Sequence, residues 1–367
     1  MQRRCTRLLA GGAVSAALAL VLSTGPAAAA ISTKITTIAS TVPANGDVNP
    51  YGVAVVPASV GALHRGDILV SNFNNAANLQ GTGTTIVQIT PSGQVSTFAA
   101  VDARHLPGAC PGGIGLTTAL TVLRSGWVIV GSLPTADGTA ATAKAGCLLV
   151  LDSHGKVRET FAGSKINGPW DMTAADHGSS AELFVTNVLN GTVAADGKVV
   201  RRGTVVRISL RIPPCECDLP QRVDTTVIGS GFGERTDPAA LVIGPTGVGL
   251  SPEGTLYVAD TLDNRIAAIP DALDRKDSAR TGSTVSEGGA LNAPLGLVTT
   301  PHGLILTVNG GDGNLVPVTP GGRQLPVVQL NDTGNPPGAG ALFGLALAPH
   351  HSLYFVDDSA NTLNLLR

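Results

Sequence analysis

The stretch "GPTGVGLSPEGTLYVADTLDNRI", Gly244 to Ile266, decides the fold. It opens on Pro-x-Gly, runs through a short apolar strand, turns at Pro-Glu-Gly, and runs through a second strand to Asp260. Five other segments follow the same plan: "NPYGVAVVP…GDILVSNFNN", "LTTALTVLRSGWVIVGSLPT", "NGPWDMTAADHGSSAELFVTNVLNG", "APLGLVTTPHGLILTVNGGDGN" and "ALFGLALAPHHSLYFVDDSANT". Their equivalent positions are Gly52, Ala119, Asp171, Gly247, Gly296 and Gly344. The last three lie 49 and 48 residues apart, the length of a propeller blade, and the longer spacings carry loop insertions.

After each strand-ending polar residue two more strands follow. In the first copy they are "TTIVQIT" and "QVSTFAA", joined by Pro-Ser-Gly. β-branched residues in alternation around Gly-containing turns are a hairpin signal. Six units of four strands describe an all-β, six-bladed β-propeller. The chain stops at "NTLNLLR", a third strand. The missing fourth strand is expected from "TKITTIAS", Thr33 to Ser40, which closes the ring and removes an open sheet edge.

The chain has 367 residues, with 43% hydrophobic and 14% charged residues, so it is not a disordered polymer. Its 46 Gly and 24 Pro suit many short strands and tight turns. Residues 1–30 read as a signal peptide: a basic start, an apolar run from Leu8 to Leu22, and a small-residue end at Ala30. That run falls short of the roughly 20 residues of a spanning helix. Residues 31–367 are expected to form a single propeller domain, secreted or periplasmic, with no transmembrane segment after cleavage. Loss of Arg3, Arg4 and Arg7 leaves 21 basic against 26 acidic residues, a balance unsuited to nucleic acid.

"LYVADTLDNRI" resembles the core of an NHL repeat, in which an aromatic-Val-Ala-Asp precedes Asn-Arg-Ile. The likeness is close in the fourth copy and weaker in the others. It implies a propeller of a broad superfamily that also holds gluconolactonase-like and strictosidine-synthase-like enzymes. The resemblance further implies that ligands sit over the central channel, on the face that carries the blade-entry loops and the loops between second and third strands. Six of the histidines, His64, His154, His177, His302, His350 and His351, fall in turns of the other face, and only His105 reaches the entry face.

On the entry face the residues ending the second strands are Asn72, Ser132, Asn187, Asp260, Asn309 and Asp357. Such residues form turns by bonding the following backbone, and they also present polar groups to a ligand. The middle residues of Pro-x-Gly are Tyr51, Thr118, Trp170, Thr246, Leu295 and Phe343. Gluconolactonase-like propellers hold divalent-metal ligands at some of these positions. Here none is Asn or a carboxylate, and a hard cation needs several oxygens. No metal site and no cofactor are therefore expected, with a divalent cation left open.

The aromatics Tyr51, Trp170 and Phe343 instead point to a mostly apolar or carbohydrate-like ligand at the mouth. Asp171 breaks the Gly/Ala pattern with a carboxylate beside the channel, where a raised pKa is expected. The candidate ligand-binding set is Tyr51, Asn72, Trp170, Asp171, Asn187, Asp260, Asn309, Phe343 and Asp357, and the candidate catalytic residues are Asp171, Asp260 and Asp357.

Cys110 and Cys147 fall on one face of the second blade, a plausible disulfide in an exported protein. Cys215 and Cys217, on the opposite face, either bond each other or stay reduced. No phosphate loop or nucleophile elbow is present, and the Gly-rich "GGIG" and "GSGFG" read as entry loops. The functional expectation is a binding or interaction module for a small molecule, glycan or protein at the entry face. The alternative is an extracytoplasmic lyase or hydrolase with a non-standard site over the channel.

Overall fold

The computed structural model describes residues 34–367. The leader expected at residues 1–30 lies outside them. The described chain folds into six antiparallel sheets in a propeller arrangement. Blade 1 holds β2 (Val48–Val55), β3 (Ile68–Asn74), β4 (Thr85–Ile89) and β5 (Val95–Ala100), after β1 (Ile35–Ser40). Blade 2 holds β6 (Leu116–Val122), β7 (Val128–Ser132), β8 (Cys147–Leu151) and β9 (Val157–Phe161). Blade 3 holds β10 (Pro169–Asp176), β11 (Ser180–Asn187), β12 (Val200–Arg211), β13 (Gln221–Asp237) and β14 (Leu241–Ile243). Blade 4 holds β15 (Pro245–Leu250), β16 (Leu256–Asp260), β17 (Arg265–Ile269) and β18 (Ser283–Glu287). Blade 5 holds β19 (Pro294–Thr299), β20 (Ile305–Asn309), β21 (Asn314–Val318) and β22 (Val328–Gln329). Blade 6 holds β23 (Leu342–Ala348), β24 (Ser352–Asp357) and β25 (Thr362–Leu366).

β1 supplies the outer strand of blade 6, pairing antiparallel with β25 from Ile35–Leu366 to Ser40–Thr362. The ring closes as the sequence predicts. The second and third strands are buried on both faces, as in "LYVAD" and "RIAAI", because each blade is packed between two others. Outer strands such as β18 are mostly exposed. This accounts for the near-continuous apolar runs at second and third positions and the polar fourth strands.

The repeated Pro-x-Gly has a structural cause. In every blade the register between first and second strands shifts at this point, as between Pro50 and Gly52, or Pro245 and Val248. The shift turns the first strand inward toward the channel. A Cβ on Gly247 would collide with the Leu295 carbonyl, one on Gly296 with the Phe343 carbonyl, and one on Gly344 with the Tyr51 carbonyl. Each glycine is thus required by the inner strand of the next blade.

Blade 3 departs from the four-strand expectation. β12 and β13 run on together to Val200 and Glu234, and β14 adds a fifth strand. "GSGFG", Gly229 to Gly233, therefore lies inside β13, not in an entry loop. Its glycines fit where side chains crowd, since a Cβ on Gly229 would press on Ile269.

Candidate functional site

The residues ending the second strands are almost wholly buried, and their partners differ from the expected turn. The Asn187 side-chain oxygen accepts from the Asn167 and Gly168 backbone N–H groups at 3.1 and 3.4 Å. The Asn309 oxygen accepts from Asn292 N at 3.1 Å, and Ser132 Oγ accepts from Gly115 N at 3.0 Å. Asn72 Nδ2 donates to the Thr41 carbonyl at 3.0 Å. All four bind the chain entering their own blade. First and second strands are antiparallel, so the end of one lies beside the start of the other, where entering N–H groups lack a ladder partner. Only Asp357 meets the following backbone, accepting from Ala360 N at 3.2 Å. Its other oxygen accepts from Asn331 Nδ2 at 2.6 Å. Asp260 forms a buried ion pair with Arg265, with Nε and Nη2 both 2.9 Å from Oδ2. Burial raises the Asp260 carboxyl to about 6 against the pull of Arg265.

The three aromatics point inward. Tyr51, Trp170 and Phe343 are 2–3% exposed. Tyr51 stacks on Phe343 with centroids 4.0 Å apart and on Phe73 at 4.5 Å, and Trp170 is tilted 6.3 Å from Phe343. Leu295, Leu133 and Val188 join the cluster. Leu241 and Val242 of β14 pack into it as well, so the blade 3 extension covers the channel's entry end. Gln80 Nε2 holds this strap from blade 1, donating to the Pro238 and Ala239 carbonyls at 3.2 Å. Leu241 has φ of 60°, a left-handed conformation that costs a branched side chain of order 1 kcal/mol or more. A cavity of about 10 Å³ remains beneath, with Thr117 and Thr118 in its wall.

Several buried polar atoms here lack partners: the Tyr51 hydroxyl and Oγ1 of Thr117 and Thr118. The Tyr51 hydroxyl sits beside Asn49 without a hydrogen bond of ordinary geometry, and burial followed by nearby Asp358 pushes its pKa well up. The Asn49 amide, oriented to satisfy both neighbours, donates to Asp358 Oδ1 at 2.7 Å and accepts from Asn74 Nδ2 at 2.9 Å. Asp358 has no cation partner among the described residues, and burial, then Asp357, raises it to about 7. Glu234, which accepts from Asn190 N at 2.9 Å, is likewise raised to about 7 by burial. Neither acid stands out in the repeat alignment, although the doubled Asp of "FVDD" was visible.

The residues at the Pro-x-Gly positions do not fit a divalent cation. They offer no carboxylate, and Tyr51, Trp170, Leu295 and Phe343 are packed against one another where a hard ion would need oxygens. The one metal-like cluster among the described residues is Cys215, Cys217 and Asp218, and its two sulfurs are joined to each other. Cys110 and Cys147 form the second disulfide, as the blade placement predicts.

Asp171 stands apart. It lies on β10 beyond the aromatic cluster, 8% exposed, in the wall of a cavity of about 180 Å³. Its Oδ2 accepts from Val248 N on blade 4 at 3.0 Å. Burial raises its carboxyl to about 7 against the Met172 and Val248 N–H groups. Where blades 1, 4, 5 and 6 carry glycine in close approach to a neighbour, blades 3 and 4 are bridged by this side chain.

Taken together, closed ring, inner-strand shifts and capped channel define a six-bladed β-propeller. No protein-family model and no curated protein matches the chain. Solved structures do. A gluconolactonase of Xanthomonas campestris matches with TM-score 0.56 and 15% identity, over 93% of this chain and 92% of that one. A calcium-binding regucalcin of Agrobacterium tumefaciens gives 0.53 and 14%, over 90% and 93%. A virginiamycin B lyase of Staphylococcus aureus gives 0.50 and 15%, over 91% and 85%. At these identities the likeness to the gluconolactonase, the regucalcin and the virginiamycin B lyase is one of fold alone.

Proposed function

We propose that this is an exported, NHL-like binding propeller whose ligand seats on the aromatic cluster at the entry end of the channel. The observation that carries this reading is the cluster itself. Tyr51, Trp170, Phe343 and Phe73 occupy the mouth, with unpartnered hydroxyls on Tyr51, Thr117 and Thr118 beside them. Unpaired buried hydroxyls cost stability unless a ligand or water meets them. Stacking rings with a few hydroxyls suit a ligand with a flat apolar face and polar edge groups. The strap bearing Leu241 and Val242 is the element that moves aside. Export accords with the Cys110–Cys147 disulfide.

Calorimetric titration with phenyl glycosides, combined with elemental analysis, tests the reading. The expected result is saturable binding, the compound recovered unchanged, and no stoichiometric divalent ion. A stoichiometric ion whose chelation abolishes turnover would favour the other reading, an extracytoplasmic lyase or hydrolase. That reading draws on Asp171, a carboxyl 8% exposed in a cavity wall, which burial raises to about 7, a range suited to proton transfer.

A further inference from the structure

The channel is sealed at the entry end but not at the other. Beyond Asp171 each blade contributes one apolar side chain to the cavity: Val53, Leu120, Met172, Val248, Leu297 and Leu345. Further along the first strands the wall is formed by Thr121, Thr173, Ala174 and Val298, which are part-exposed, so the cavity opens at the face opposite the strap. Asp171 is the single ionisable residue in the wall. One of its oxygens takes the Val248 N–H, and no protein side chain bonds the carboxylate.

We infer that this cavity binds a small organic ammonium ion, with Asp171 as its counter-ion and a mixed wall of apolar groups and the Thr121 and Thr173 hydroxyls around its short hydrocarbon part. A buried carboxylate without a cation is costly, and a ligand carrying the missing charge removes that cost. A hard metal ion fits less well, since Asp171 is the one carboxylate in the wall and the Thr121 and Thr173 hydroxyls are the other side-chain oxygens there. A neutral amphiphile would leave the carboxylate uncompensated. The site lies beyond the aromatic cluster from the strap and does not rest on the function proposed above.

The pH dependence follows from the same geometry. Ammonium binding requires the ionised carboxylate, so affinity grows as pH rises through about 7. The strands packed on β10 do not blur this. β6 and β15 carry no ionisable residue, Glu182 of β11 is paired with Arg207 at 3.5 Å, and Asp176 at the end of β10 is paired with Arg124 at 3.5 Å.

Met172 makes the test direct, because it is the only methionine after Met1. In protein labelled with ¹³C-methyl methionine, its signal reports on the cavity wall. n-Butylammonium chloride is expected to shift that signal saturably at pH 8, with affinity at least tenfold weaker at pH 5.5. n-Butanol and sodium chloride at equal concentration should not shift it. Asp171→Asn should lose at least tenfold in affinity. Leu297→Phe, which keeps the carboxylate and fills the cavity, should lose as much, so the test survives if one variant fails to fold. Equal responses to butanol and butylammonium would overturn the proposal. So would undiminished affinity in a folded Asp171→Asn, or no saturable shift at pH 8, the outcome expected if the cavity holds only water.

Discussion

At the scale of single residues, three side chains separate structural from ligand-directed roles. Asp260 is held by Arg265 in the interior, so Asp260→Ala leaves a buried guanidinium unpaired. A loss of about 3–5 kcal/mol in unfolding free energy is expected by denaturant titration. Unchanged stability would return Asp260 to the list of free carboxylates. Tyr51→Phe removes a buried hydroxyl that has no partner. Its expected effect is neutral or stabilising by about 1 kcal/mol in the empty protein, with weaker binding of phenyl glycosides. Asp171→Asn keeps an acceptor for the Val248 N–H and removes an acid whose folded pKa is raised to about 7. A raised acid favours folding below its unfolded pKa of about 4, and that advantage is lost as pH climbs to about 7. Asp171→Asn should therefore match the parent near pH 4 and melt higher at pH 8. The ceiling is about 4 kcal/mol, at roughly 1.4 kcal/mol per pH unit between the two pKa values. The alignment of six repeats exposed Asp171 because it replaces a glycine. It did not expose Asp358 or the direction of the Asn72, Asn187 and Asn309 bonds, since both depend on how the entering loops fold back.

At the scale of elements, the inner strands and the strap carry the argument. Gly296 faces the Phe343 carbonyl of the next blade, so Gly296→Ala should cost about 1–3 kcal/mol through overpacking, read by thermal melting. The Cys110–Cys147 bond closes a sequence separation of 37 residues. Replacing both by Ala should lower stability by about 4 kcal/mol on the chain-entropy model. Strand number and order were legible in the sequence because β-branched runs and turn residues recur with blade spacing. The fifth strand of blade 3 was not. The segment from Gly229 to Ile243, with three Gly and a Pro, looks like a loop, yet its first part pairs with β12 and its end folds back as β14 on β13. That override by tertiary pairing hid the strap, and with it the burial of the three aromatics.

At the scale of the whole molecule, closure and charge set the behaviour. β1 covers the β25 edge, so removal of residues 31–41 should lower the melting temperature and promote association through the freed strand. A truncated protein that melts like the full-length one would contradict this. Four acids, the buried Asp171, Glu234 and Asp260 and the part-buried Asp358, are raised to between about 6 and about 7, chiefly by desolvation. Their ionisation opposes folding as pH rises through that window, whereas acids lowered by hydrogen bonds, such as Asp137 and Asp263, lose their stabilising effect only below about pH 4. Thermal stability is thus expected to be higher at pH 5 than at pH 8.

A strap closes the aromatic cluster at the channel mouth. Trp170 reports on it once the other tryptophan is replaced by Trp127→Phe. Acrylamide quenching of Trp170 emission is the direct measurement. Weak quenching is expected with Leu241 in place, and at least severalfold stronger quenching in Leu241→Gly, where the fold is kept and the strap no longer fills the mouth. Strong quenching with Leu241 in place, or equal quenching in both proteins, would contradict it.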